Sequence, residues 1–223
     1  MPADDADPLL RPVAAEDDWH NTAIVGGDRE NDSALAMGYL EAADVLVEYW
    51  KSHRPDDLLA LPILANYRHG IELALKDEIR DAATCVRSDG HQDPGLDPKT
   101  LDNWLASTHS IGHLVERLDS YLGRLNLGTE NQLPVDTREI LDGLHALDAS
   151  GQTLGYSTVK TGTGKNLKLV PPRPDQTHFD LPGVAAALHD AGVLVLHGVS
   201  GVLYQYAELQ AAMRQEYGPY EGY

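Results

Sequence analysis

The sequence contains little cysteine, few aromatic side chains and little positive charge. One cysteine, Cys85, occurs in 223 residues, which excludes an internal disulfide and any zinc site built on several cysteines. Aromatic residues make up 6% of the chain. A lone thiol is typical of proteins in a reducing compartment, so we expect a cytoplasmic protein in which Cys85 is an ordinary buried residue.

Long apolar runs and a secretion signal are also missing. No uninterrupted apolar stretch approaches the roughly 18 residues that a membrane-spanning helix needs. The first ten residues, MPADDADPLL, are acidic and lack the basic region of a signal peptide. We therefore expect no association with a membrane.

Positive charge is scarce, because 17 Lys and Arg residues stand against 35 Asp and Glu residues, for a formal net charge of −18. Residues 1–32 hold nine acids and two bases, a net charge of −7. We interpret this segment as a flexible, solubilising tail; the alternative is a segment that docks on a basic partner. Tight binding to a phosphate backbone needs clustered Lys and Arg, so no strong DNA binding is expected.

Apolar residues recur at three- and four-residue steps through most of the chain, which predicts an all-α antiparallel bundle. A small β-hairpin is predicted at about residues 153–171, where β-branched residues flank a glycine-rich turn. We expect a single helical domain over residues 33–216 and a frayed end at 217–223. The predicted helices cover about 33–53, 57–87 with a kink or restart at Pro62, 98–106, 108–125, 136–148 and 180–216.

A first candidate site lies in the segment YRHGIELALK, residues 67–76. Arg68, Glu72 and Lys76 follow at four-residue spacing with His69 beside them, so they form one polar ridge on a helix. Such a ridge is either a solvated face with a Glu–Lys pair or a polar groove in which Arg68 and His69 face another helix.

Two further groups have spacings that suit chemistry. His109 and His113 are one helical turn apart and Glu116 follows, but no further ligand stands at matching spacing, so we predict no metal site. We expect His109 to begin a helix and to donate a structural hydrogen bond. Arg138 and His145 are separated by six residues and share a face on one helix; the alternative is a surface Arg and an interface His.

The stretch GYLEAADVLVEYW…LPILANYRHGIELALK resembles a family of uncharacterised bacterial proteins related to HEPN domains. The resemblance covers about residues 37–205 and is most specific in the YRH…E…K block. The matching positions are Gly38, Tyr39, Ala42, Ala43, Pro62, Ile63, Tyr67, Arg68, His69, Glu72, Leu73 and Lys76, then His109, Ser110, Ile111, Leu147, Asp148 and Tyr156.

This resemblance implies a HEPN-like helical bundle that forms a homodimer and needs no cofactor. Many HEPN domains are metal-independent ribonucleases of toxin–antitoxin, abortive-infection or CRISPR-linked defence, and they carry Arg four to six residues before His. A His then acts on the ribose 2′-hydroxyl while an Arg stabilises the phosphorane charge. The implied catalytic residues are Arg138 with His145, then Arg68 with His69. The implied binding residues are Glu72, Lys76, His109 and Tyr156.

The sequence departs from the family pattern in two places. Residues 154–157 read LGYS, where the family has an Arg. His189 and His197 in the last predicted helix have no Arg four to six residues before them. Two functions stay open: an RNA-cleaving protein of a toxin or defence system, and a non-catalytic interaction module that binds a protein or a small ligand. The missing Arg and the net charge favour the module, and the YRH…E…K ridge favours the ribonuclease.

Overall fold

Helices make up most of this protein, as the sequence predicts. The computed structural model describes residues 22–27, 30–53, 56–162 and 166–217. The chain divides into two units, Met1–Asn31 and Asp32–Tyr223, and the second holds the helices and strands described below. Most of the predicted acidic tail and of the predicted frayed end lies outside the described residues.

Seven α-helices follow one another along the described part of the chain. Their bounds are α1 Asp32–Ser52, α2 Ala60–Ser88, α3 Pro98–Ser107, α4 Ile111–Leu125, α5 Val135–Leu147, α6 Leu181–Val193 and α7 Ser200–Tyr217. A π-helical turn, Leu194–Val199, joins α6 to α7. Short 3₁₀ turns precede α2, α3 and α5. The all-α prediction is confirmed.

The predicted hairpin is also confirmed. Strands β1, Val159–Thr161, and β2, Lys168–Val170, pair antiparallel, with Val159 opposite Val170. Most of their side chains are exposed, so the hairpin adds little to the core.

Helix α2 is the centre of the bundle, because α1, α4, α6 and α7 all pack against it. Its largest buried side chains are Tyr67, Ile63, Ile71, Leu75 and Ile79. A helix with neighbours on so many sides buries most of its circumference, including positions that carry charge. Cys85 near its end is buried, as expected.

The starts of two helices differ in detail from the prediction. The predicted restart lies at Ala60, two residues before Pro62, where α2 follows the 3₁₀ turn Asp57–Leu59; Pro62 is in the first turn of α2, where its missing N–H has no intrahelical partner to lose. Helix α4 begins at Ile111 instead of the predicted residue 108, and it is capped by Ser110, which accepts the His113 backbone N–H at 3.3 Å. Helix α3 continues through Ser107 and displaces that start.

One helical stretch, Leu181–Glu216, is long and apolar enough to cross a membrane by length and composition alone. Its most apolar 18-residue window has a mean hydropathy of 1.4, and 39% of that window is buried inside the protein. Core helices of soluble proteins pass the same test. Leu188 and Val195 are buried in the bundle, so core packing accounts for part of this apolar character.

The approach of α2 to α1 generates a first prediction. A Cβ at Gly70 would lie 3.0 Å from the Ala36 carbonyl oxygen and 3.1 Å from the Leu40 side chain. Because backbone must shift to admit it, Gly70→Ala should lower the free energy of unfolding by about 1–3 kcal/mol in urea denaturation. Gly201→Ala is the matched control, since its Cβ would meet nothing within 4 Å. Equal effects of the two substitutions would contradict a packing constraint at Gly70.

Candidate functional site

The carboxylate of Glu72 lies at the centre of a buried charged network. Lys76 Nζ donates to Oε1 at 2.8 Å and an Arg68 guanidinium N–H donates to Oε2 at 2.7 Å. His109 Nδ1 lies 2.9 Å from Oε1. The side chains of Arg68, Glu72 and Lys76 are each less than one-tenth exposed. The solvated face considered for this ridge is therefore wrong, because helices cover it.

Arg68 connects α2 to two other parts of the fold. One guanidinium N–H donates to the backbone carbonyl of His109, just before α4. Its Nε lies 3.4 Å from both the carbonyl oxygen and a carboxylate oxygen of Asp148, just after α5. Gly151, at φ +75°, leaves room for this side chain, because a Cβ there would lie 2.9 Å from the guanidinium.

Asp148 orders the turn that follows α5. Its carboxylate accepts backbone N–H groups from Gln152 at 2.9 Å, Thr153 at 3.0 Å and Leu154 at 3.4 Å. Although burial opposes it, these bonds and nearby Arg68 lower the pKa of Asp148. The ionised carboxylate therefore holds both the turn and the arginine.

The ionised carboxylate of Glu72 orients the ring of His109. Burial raises the pKa of Glu72, but the hydrogen bonds from Lys76, Arg68 and His109 outweigh it and lower the pKa to about 2. An ionised carboxylate only accepts, so His109 Nδ1 donates to it, and in the neutral ring the lone pair lies on Nε2. The His109 side chain is 57% exposed, so the network orients an imidazole that solvent reaches.

His69 lies beside this network and is half-buried. Its ring packs edge-on against Tyr39, with ring centroids 4.4 Å apart. Burial lowers the pKa of His69, although the charge of Glu72 opposes the shift. His69 is therefore a neutral imidazole at pH 7.

Arg138 and His145 share one face of α5, as predicted, but they contact different parts of α4. Arg138 pairs with the carboxylate of Asp119. The His145 ring packs on Gly112, where a Cβ would lie 3.1 Å away, and its buried Nδ1 has no hydrogen-bond partner among the described residues. Seven residues span about 10 Å along a helix, so the two side chains stand two turns apart.

The structure thus gathers five of the predicted site residues at one place: Arg68, His69, Glu72, Lys76 and His109. Arg138 is about 15 Å along the α5 axis from Asp148, which Arg68 contacts. Tyr156 is exposed in the segment between α5 and β1. Within the described ranges, no three His, Cys, Asp or Glu side chains come close enough to hold a metal ion.

A second feature, which the sequence analysis missed, is an apolar groove between α5 and α6. Its volume is about 620 Å³, and Phe179, just before α6, lies at its side. Glu139 and Asp180 are its acidic lining residues. Its main apolar residues are Leu64, Ile140, Leu144, Leu147, Val184 and Leu188. Helical spacing is the same for groove residues and for core residues, so it could not identify the groove. The one signal in the sequence was the chain's single Phe, Phe179, together with Gly143 on α5.

No protein-family model, no curated protein and no solved structure matches this chain. The HEPN resemblance drawn from the sequence therefore stays a prediction.

The network around Glu72 generates a second prediction. Glu72→Gln leaves Lys76 buried without its counter-charge and Arg68 with Asp148 alone, which should cost about 3–5 kcal/mol of unfolding free energy at pH 7. The folded pKa of Glu72, about 2, lies below its ordinary value of 4.5, so its stabilising charge is present above pH 4.5 and lost toward pH 2. The difference between wild type and variant should shrink over that window.

Urea denaturation at several pH values measures this difference. Glu116→Gln, at an exposed position of α4, is the control and should change stability by less than about 0.5 kcal/mol. A Glu72→Gln effect that stays constant from pH 7 to pH 3 would contradict the electrostatic explanation.

Proposed function

We propose that this protein is a non-catalytic helical binding module that takes a small apolar ligand into the groove between α5 and α6. The groove itself carries the proposal. Its volume of about 620 Å³ falls in the range of roughly 300–1,000 Å³ that is typical of small-molecule sites. Leu147, Phe179 and Val184 keep substantial apolar surface exposed there, which a ligand would remove from water.

The charges at the groove restrict the ligand further. Glu139 and Asp180 are the ionisable residues of the lining, and the chain as a whole carries a net charge of −18. An anionic ligand would be repelled on both counts. A neutral or cationic apolar molecule therefore fits best.

The basic side chains of the candidate sites are already paired with carboxylates, which supports a binding module rather than a nuclease. Arg68 and Lys76 are bound to Glu72, and Arg138 is bound to Asp119. A phosphate backbone would have to displace these carboxylates to reach the cations. Under the HEPN resemblance, the protein would be one of the partner-binding members of a bacterial defence system, a cytoplasmic homodimer.

A third prediction tests the groove with the neutral apolar dye Nile red. A Cβ at Gly143 would meet nothing within 4 Å, so Gly143→Leu introduces an apolar side chain into the groove from a position with open space. Dye affinity, followed by fluorescence, should fall at least about tenfold because the side chain occupies the apolar volume. Gly123→Leu on α4 makes the same change at an equally open position outside the groove and should leave binding unchanged. Undiminished binding by Gly143→Leu would refute the proposal.

One observation favours the second candidate function, metal-independent RNA cleavage: Glu72 orients the exposed ring of His109. His109 Nε2 would accept the proton of a ribose 2′-hydroxyl, whose oxygen attacks the adjacent phosphorus. The 5′-oxygen would leave and take up a proton from water, giving a 2′,3′-cyclic phosphate and a 5′-hydroxyl end. In this candidate reaction the general base is His109 rather than His145 or His69.

A fourth prediction concerns the cleavage of labelled tRNA by the purified protein in EDTA. If cleavage occurs, His109→Ala should reduce its rate by about 10²-fold or more, the usual contribution of a general base. His113→Ala, one helical turn away and exposed, is the control and should cleave normally. Loss of cleavage in Arg138→Ala and His145→Ala but not in His109→Ala would assign the reaction to that pair instead. An inactive wild type would exclude the second candidate.

A further inference from the structure

A second carboxylate–histidine pair lies where α1, α2 and α6 meet. Asp44 on α1 accepts the Tyr67 hydroxyl of α2 at 2.5 Å. His189 Nδ1 on α6 lies 2.9 Å from Oδ2 of Asp44 and 3.1 Å from Oδ1. Neither proposed function uses this group.

The hydrogen bonds determine which atom of His189 is free. Burial, and then the bond to Asp44, raises the pKa of Tyr67, so its hydroxyl stays protonated and donates. The carboxylate of Asp44 has acceptors only, so His189 Nδ1 also donates to it. In the neutral form of this part-exposed ring the lone pair therefore lies on Nε2, which can accept a further donor.

This imidazole lines a crevice of about 260 Å³. Val47, Ala185 and Ala186 form an apolar wall. On α6 the crevice residues lie opposite Val184, Ala187 and Leu188, which line the apolar groove, so the two sites are on opposite faces of the helix.

The crevice has more acceptors than donors and a negative charge. Asp44 and Glu48 contribute −2 and Lys51 contributes +1, so the net charge is −1 with His189 neutral. Lys51 Nζ is bound to Oε1 of Glu48 at 2.7 Å. A matching ligand must therefore bring donors and positive charge. The crevice volume of about 260 Å³ suits a small ligand.

We propose that this crevice binds a small primary amine in its ammonium form. The ammonium group donates to Nε2 of His189 and to the carboxylate of Glu48, and its methylene chain packs against Val47 and Ala185. Asp44 and Tyr67 hold the imidazole in the accepting tautomer. The proposal does not depend on the apolar groove, because the two sites share no lining residue.

The probe is 1,4-diaminobutane, titrated into the full chain with ¹³C-labelled histidine rings and followed by NMR. The His189 resonance, identified by its loss in His189→Phe, should shift saturably with the diamine. The uncharged 1,4-butanediol, of equal chain length, should leave it unmoved. An unmoved resonance with the diamine, or an equal shift with the diol, would overturn the proposal.

Variants separate the crevice from general attraction to an acidic protein. In calorimetric titration His189→Phe should weaken diamine binding at least about tenfold, because it removes the acceptor but keeps a ring. Glu48→Gln, at a largely exposed side chain, should weaken it at least about threefold. Glu41→Gln changes the same charge on α1 outside the crevice and should leave binding unchanged. Equal affinity of wild type and His189→Phe would refute the site.

Discussion

The buried carboxylate of Glu72 determines how α2, α4 and α5 meet. It accepts from Lys76, Arg68 and His109, and Arg68 continues to the turn after α5 through Asp148. Buried ion pairs of this kind often contribute little net stability, because desolvation offsets much of their attraction. Removing one member is costly, however, since it leaves its partners charged and uncompensated. The network therefore specifies geometry: the start of α4 and the end of α5 are fixed relative to α2, and with them the exposed ring of His109.

A second glutamate on the same helix shows what the partners of Glu72 do. Glu78 is as buried as Glu72, yet its pKa is raised to about 8 by burial and then by the charges of Asp81 and Asp77. Its buried Oε2 has no hydrogen-bond partner in the described part of the chain. Two carboxylates on one helix thus differ by several pKa units because one faces cations and the other faces acids. Burial alone raises the pKa of both carboxyl groups.

Periodicity was enough to predict the bundle and the hairpin, and four-residue spacing was enough to place Arg68, Glu72 and Lys76 on one ridge. Whether that ridge faces water could not be predicted, because the answer depends on four helices that surround α2. The partner of Arg138 is Asp119 on another helix, which no local pattern indicates. The groove was missed for a related reason: a residue such as Leu147 has the spacing of a core residue and becomes a groove residue only where α6 fails to cover it.

Both proposed ligand sites follow from how this acidic chain uses its few cations. Arg80 binds Asp32 and Asp102, and Arg124 binds Asp93, in the same way that Lys51 binds Glu48. Because these cations are paired with carboxylates of the same chain, surplus carboxylates remain at the clefts. The clefts therefore repel anions and accept neutral or positively charged molecules. RNA cleavage at His109 would require the substrate's phosphates to approach this negative potential, although the Arg and Lys of the Glu72 network are already paired. The excess of carboxylates that pairs with these cations therefore also favours binding of an apolar or amine ligand over nuclease activity.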